Sequence, residues 1–184
     1  GTDNIAIGYN VMSYLDAGSN SKDSDYNIAI GSNAMSGTWV DAKSEWNVGV
    51  GSNVMDASMN AANRNTAMGH AALSALTTGD DNSVFGMEAG NAIAIGSGNV
   101  AIGKAAFTFS NGDSNNVAIG FDASNSMWGD SNVAVGKDAL KGATFTDATC
   151  DYDDDPTITH DSNGSIIVGL GVSGTGIPDG AYIA

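Results

Sequence analysis

Cysteine is almost missing from this 184-residue chain. Cys150 stands alone, which excludes an intrachain disulfide framework and any Cys/His metal cluster built around it. Basic residues are nearly as scarce: six Lys and Arg face 21 Asp and Glu, Arg64 is the single arginine, and the formal net charge is −15. Phosphate binding needs clustered Lys and Arg, so this balance argues against nucleic acid as a partner and, for the same reason, against an anionic membrane surface. Aromatics make up only 7% of the chain, and alanine dominates the 42% that is hydrophobic. Such small side chains suit a thin core between closely spaced backbones rather than a thick globular one. No signal peptide or membrane-spanning run is visible, and Gly1-Thr2-Asp3 leads straight into patterned sequence, which reads as an internal segment of something longer.

What the chain has in abundance is one short phrase, Asn-x-Ala-Ile-Gly and its variants. It runs from Asn4 to Gly8, Asn27 to Gly31, Asn47 to Gly51, Asn65 to Gly69, Asn82 to Gly86, Asn99 to Gly103, Asn116 to Gly120 and Asn132 to Gly136. A recurrence this short, with its glycine never lost, predicts one strand and one turn of a coil stacked on copies of itself, an all-β parallel solenoid of about eight coils. Measured from glycine to glycine, the intervals are 23, 20, 18, 17, 17, 17 and 16 residues. The extra residues of the early coils fall in segments 16–25 and 37–45, rich in Ser, Gly, Asp and Asn, which read as outward loops. A coil of about 16 residues has room for two strands of roughly five residues and two turns.

Within the phrase, residues alternate large, small, large, as in Ile28-Ala29-Ile30 and Val117-Ala118-Ile119. Period two is the strand signature, and apolar residues in both phases predict a strand covered on both faces. One face is the coil interior; the other must meet something else, and a second copy of the chain is the nearest candidate. Segments such as Ala34-Met35, Val54-Met55 and Ala106-Phe107 follow each glycine and read as a second strand or the corner leading into it. Ala92 to Gly96 is too close to Gly86 and Gly103 to form a separate coil and reads as that same second element. Ala71 to Leu76 alone could wind as a helix, but it is too short and bracketed by glycine. The repeats are assigned to residues 1–145 and a second, truncated β module to 146–184, where Asn163-Gly164 and Pro178-Asp179-Gly180 mark turns.

The repeated residues have structural roles. Glycine at the strand end permits the positive φ of a tight corner, and asparagine at one place on every coil stacks as a ladder of side-chain amides. Chemistry-bearing groups are few. His70 occupies a position that is Tyr9, Ser32, Lys104 or Phe121 in other copies; His160 beside Asp161 has no nucleophile near it; Glu45 and Glu88 are isolated carboxylates. No catalytic residue and no organic cofactor is predicted. Asp151, Asp153, Asp154 and Asp155 are the candidate calcium ligands, although Pro156 stands where an EF-hand loop needs glycine and a solvated acidic turn is the preferred reading. Among Trp39, Trp46, Trp128, Tyr9, Tyr14 and Tyr26, Trp39 is the candidate surface contact because its segment is long, the others reading as caps on the thin core.

The phrase Asn-x-Ala-Ile-Gly-x-x-Ala, present as Asn27 to Ala34 and Asn116 to Ala123, resembles the head repeat of YadA-type trimeric autotransporter adhesins and the looser repeats of phage tail-fibre proteins. The resemblance spans residues 4–145. It implies a left-handed parallel β-roll, three chains packed around a common axis, and the second apolar face as the trimer interface. Fibre and head share this build, so ligand is not implied. The 23-residue first coil favours the fibre, as does Val172 to Gly180, which is similar to a segment of phage structural proteins. The function expected is a virion appendage segment, or else an adhesin head, displayed on a virion or extracellular surface with other appendage proteins and a host glycan or protein as partners. A polysaccharide-degrading tailspike domain is a weaker alternative.

Overall fold

The computed structural model describes residues 1–14, 23–39, 42–109, 111–125 and 129–141. Residues Gly1–Gly142 form one compact unit. The expected β module from residue 146, Cys150, Trp128, His160 and the acidic turn at Asp151, Asp153, Asp154 and Asp155 all lie outside the described residues.

Eight strands form a single parallel sheet in strict chain order: β1 (Ile5–Ile7), β2 (Ile28–Ile30), β3 (Val48–Val50), β4 (Thr66–Met68), β5 (Ser83–Phe85), β6 (Val100–Ile102), β7 (Val117–Ile119) and β8 (Val133–Val135). Every strand is the middle of one copy of the phrase, and the register matches copy to copy, with Ala6 beside Ala29, Ala101 beside Ala118 and Ala118 beside Ala134. The chain is therefore a β-solenoid in which each recurrence adds a rung. At about 4.8 Å per step, the seven steps from β1 to β8 span roughly 34 Å. Among the described residues, no helix is long and apolar enough to cross a membrane.

The strands have three residues each, shorter than the spacing predicts, and the reason lies in the backbone at either end. The residue before each Asn has positive φ, from Asp3 (57°) and Tyr26 (59°) through Trp46 (63°) and Arg64 (57°) to Ser131 (64°). The glycine after each strand also has positive φ, 137° at Gly31 and 144° at Gly69. A left-handed residue turns the chain out of the extended path, so the pleat cannot continue past either point.

The second element of each coil is a corner rather than a strand. Two residues past each glycine, and again four past, φ is positive: Asn33 and Met35, Asn53 and Met55, Ala105 and Phe107. These corners still bond rung to rung, as in Asn53 N–H to Ser32 O (2.9 Å) and Met35 N–H to Val54 O (2.9 Å). Left-handed conformations cost side-chain-bearing residues about 1 kcal/mol or more each, and the repeated bonding of each corner to its neighbours holds them there. The stretch from Ala92 to Gly96 is likewise a turn: the N–H groups of Ala94 and Ile95 both donate to Asn111 O at 3.0 Å.

The small middle residues of the strands point inward. Ala29, Ala67, Ala101 and Ala118 are fully buried, facing a core of Met35, Met55, Leu73 and Phe107 from the corners. Volume is balanced locally. A Cβ added at Gly49, where most rungs have alanine, would lie 3.0 Å from Met35 Cε and 3.2 Å from Met55 Cε, so the missing methyl makes room for two methionines. At β5 the compensation runs the other way: the larger Val84 replaces alanine, and Gly90 stands where neighbouring coils place Leu73 or Phe107. Interiors packed to crystal density require this kind of exchange.

Trp39 corrects the sequence reading. It is fully buried in the same cluster as Met59, Leu76 and Ile93, and its backbone N–H donates to Tyr14 O at 3.2 Å. Its side chain belongs to the core and contributes nothing to the surface.

Candidate functional site

The eight asparagines form the ladder expected of them. From Asn4 to Asn116, each Oδ1 accepts two hydrogen bonds from the next asparagine, one from its backbone N–H and one from its Nδ2. Asn65 Oδ1 receives Asn82 at 3.0 and 2.9 Å, and Asn82 Oδ1 receives Asn99 at 3.0 and 3.1 Å. Nδ2 also donates to a carbonyl on the following coil, three residues before its asparagine: Asn27 to Ser44 O, Asn47 to Ala62 O, Asn65 to Gly79 O, Asn82 to Gly96 O and Asn99 to Asp113 O, all at 2.8 or 2.9 Å. Asn4 begins the ladder and Asn116 and Asn132 continue it. With every polar atom of an interior copy engaged and buried, the asparagines hold the fold together and bind no outside ligand.

A second ladder, two residues upstream, runs in the opposite sense and is not evident in the sequence. The backbone N–H of one rung donates to a short side chain on the following rung: Glu45 to Asn63 (2.9 Å), Asn63 to Asp80 (2.7 Å), Asp80 to Ser97 (3.0 Å), Ser97 to Ser114 (3.1 Å) and Ser114 to Asp130 (2.7 Å). Thr2 N–H donates to Asp25 in the same way and holds that carboxyl below the usual carboxylate range. The signal available was an Asp, Asn or Ser two places before most repeat asparagines.

The first and third residues of each strand lie on the outer face of the sheet, half-buried or exposed in the single chain. The first strand position gives a column of Ile5, Ile28, Val48, Thr66, Ser83, Val100, Val117 and Val133, and the third gives Ile7, Ile30, Val50, Met68, Phe85, Ile102, Ile119 and Val135. Exposure ranges from 39% at Phe85 to 67% at Val133 among those on the surface. Fourteen of these 16 side chains are apolar: the third-position row is apolar throughout, and the first-position row is interrupted only by Thr66 and Ser83. Contiguous apolar strips of this size mark interaction surfaces. This strip is the candidate functional site.

The chain matches no family model, no curated protein and no solved structure. The site therefore rests on its own geometry.

Elsewhere the surface carries rung-to-rung pairs. Tyr26 and Trp46 stack at 4.1 Å with ring planes 14° apart, and both stay substantially exposed. On the next two rungs, Arg64 Nε and an Nη bind both oxygens of Asp81 at 2.7 and 3.0 Å, which holds the Asp81 carboxyl low and raises the guanidinium. Lys141 joins Asp122 and Asp138 at 2.6 and 3.1 Å; contacts from Lys137 and then Lys141 hold Asp138 low. Lys104 and Lys137 flank the Phe121 ring at 5.7 and 5.9 Å. Exposed pairs of this kind contribute little to stability. Glu88 stands on the rung after His70, its backbone N–H donating to His70 O at 2.8 Å, while Glu45 lies elsewhere, and no group of three or more metal-ligating side chains gathers among the described residues.

Among the described residues, Asp56 is the one carboxyl shifted upward, by partial burial, against the smaller opposing effects of its own backbone N–H and of His70. A raised carboxyl pKa means that the folded state binds the proton more tightly than the unfolded chain. Stability is then greatest below the unfolded value of about 3.9 and falls as pH rises through the higher folded value. Asp56→Asn is expected to raise the thermal midpoint at pH 7 and to lose that advantage near pH 3, as followed by circular dichroism melts at the two values.

Proposed function

We propose that this chain is a rigid segment of a surface fibre, of the phage tail-fibre kind, in which three copies bury their outward strand columns against one another. The outward double row of Ile, Val, Met and Phe, half-buried or exposed in one chain, carries this reading. A sheet that places alanine inside and its large residues outside gains most of its apolar burial only when a neighbouring chain covers it. The resemblance of the repeat to trimeric fibre and adhesin-head sequences supplies the number three.

The mechanical role follows from the bonding. Every rung is tied to the next by strand, corner and asparagine hydrogen bonds, so bending the rod requires breaking several rows together. Three copies side by side would stiffen it further and would present each outer loop three times, turning weak contacts with a host glycan or protein into avid ones. The partners proposed are sister chains, other virion proteins and the host surface; no catalytic role is assigned. The head of a bacterial surface adhesin is the second reading, favoured by the near-constant coils from Gly69 to Gly136, whereas the longer early coils favour the fibre. Light scattering on the purified protein is expected to give three times the chain mass, and a monomer at micromolar concentration would overturn the assembly and the fibre with it.

A further inference from the structure

We propose that the open face of Trp46 is a binding site for a neutral sugar, a hexopyranose stacked on the indole with its hydroxyls held by Arg64, Asp80 and Asp81. This rests on the reading of the chain as a displayed surface segment and names where, and through what chemistry, it holds a glycan.

The site lies in the column one residue ahead of the ladder asparagines: Asp3, Tyr26, Trp46, Arg64, Asp81, Gly98, Asn115 and Ser131, each with positive φ. Glycine, Asn and Asp tolerate that conformation far better than bulky rings do. Tyr26 at 59° and Trp46 at 63° are therefore costly members of the column. Burial in the core does not offset the cost, because 43% of Tyr26 and 53% of Trp46 remain exposed. Their stacking on each other offsets only part of it. A strained, exposed aromatic pair at positions that small polar residues fill on other rungs points to a contact outside the chain.

An indole has two broad faces. Tyr26 covers the one on its own side, with ring centroids 4.1 Å apart and planes at 14°. More than half of Trp46 can then be exposed only if the other face, toward the following rung, is open. Arg64 stands on that rung but reaches onward, its Nε and an Nη bound to Asp81 one rung further at 2.7 and 3.0 Å, with Asp80 at 3.7 Å. The flat apolar surface is thus bordered by a guanidinium that only donates and by carboxylates that only accept. Sugar hydroxyls do both, and one side of a pyranose ring is a sheet of C–H bonds suited to an aromatic face. Charge selects against other occupants. Lys43 is matched by Glu45 at 3.9 Å and Arg64 by two carboxylates, so an acidic sugar finds no spare cation. A lysine-rich peptide meets nearly balanced charge across the same five side chains.

The test follows the indole N–H signal of Trp46 by NMR, assigned by its loss in Trp46→Phe. Neutral oligosaccharides of glucose, galactose or mannose are added to the full chain in turn, alongside a glucuronate oligosaccharide and an oligolysine peptide. At least one neutral sugar is expected to shift this signal saturably while the indole of Trp39, buried in the core, stays still. By saturation-transfer NMR on that sugar, Trp46→Ala is expected to weaken binding at least about tenfold, Trp46→Phe to keep part of it, and Arg64→Gln to weaken it by less than Trp46→Ala. Should Trp46→Ala fail to fold, the wild-type indole signal decides alone. No shift with any neutral sugar, undiminished binding by a folded Trp46→Ala, or a response confined to the glucuronate or the peptide would overturn the site. Any of these in a protein that light scattering finds trimeric leaves the fibre standing. A monomer that still binds the sugar would overturn the assembly and keep the site, whose residues all belong to one chain.

Discussion

Gly69→Val is expected to abolish the cooperative unfolding transition of the solenoid, the largest effect of any single substitution considered. Two penalties coincide. The backbone at Gly69 has φ of 144°, a region that side-chain-bearing residues rarely occupy, and a Cβ built there lies 2.3 Å from Gly86 O and 2.6 Å from Gly86 C. The obstructing group is backbone, tied to Gly69's own rung by the Gly86 N–H bond to Met68 O and to the following rung by the Gly103 N–H bond to Phe85 O, both at 2.8 Å, so it has nowhere to yield. The combined cost is on the order of 4 kcal/mol or more, comparable with the whole stability of a small domain. Gly136→Val separates the two penalties, because φ there is 129° but the nearest atom to an added Cβ is Ala139 Cβ at 4.0 Å. It should shift the urea midpoint measured by circular dichroism while preserving a transition. Equal effects at the two glycines would mean that the close approach of rungs carries no cost.

The second large effect is expected from Asn82→Leu, a substitution of similar size that keeps the interior filled. Loss of the amide leaves Gly96 O without its donor and deprives the backbone N–H and Nδ2 of Asn99 of their shared acceptor. A buried polar group stranded in this way costs about 1–3 kcal/mol, and the three together lower stability by on the order of 4 kcal/mol, read as a fall in the urea midpoint. Asn4→Leu at the first, half-buried rung should lower it by much less. An unchanged midpoint for Asn82→Leu would mean that the amide ladder is not what fastens the rungs.

The architecture was legible because stacking repeats the same demand at the same place. Eight phrases give eight strands, and the terminal glycine and leading asparagine announce the corner and the ladder that they serve. Less was legible where several residue types meet one demand. The acceptor ladder uses Asp25, Asn63, Asp80, Ser97, Ser114 and Asp130, whose common property is a short side chain bearing an oxygen, so no fixed letter marks it. The corners hide for a related reason. Met35, Leu73 and Phe107 have positive φ although their side chains suggest strand or helix, because core burial and rung-to-rung bonding outweigh local preference. Trp39 lies in a segment whose length and Ser, Gly and Asp content predict an outward loop, yet its side chain joins the core, where burial of the indole outweighs the polarity of its neighbours in sequence. The outward row was visible as an apolar phase, and its exposure is what makes it the candidate site.

From Gly69 to Gly120, three successive coils have the same length of 17 residues. Strand bonds recur there at 2.8 Å from Thr66 to Asn82, Ser83 to Asn99 and Val100 to Asn116. Interchangeable modules of this kind let a gene lengthen or shorten the solenoid by whole duplications or deletions, each changing its length by about 4.8 Å while the cross-section stays the same. The polypeptide thereby serves as a graduated ruler, its span counted out in discrete increments along the axis.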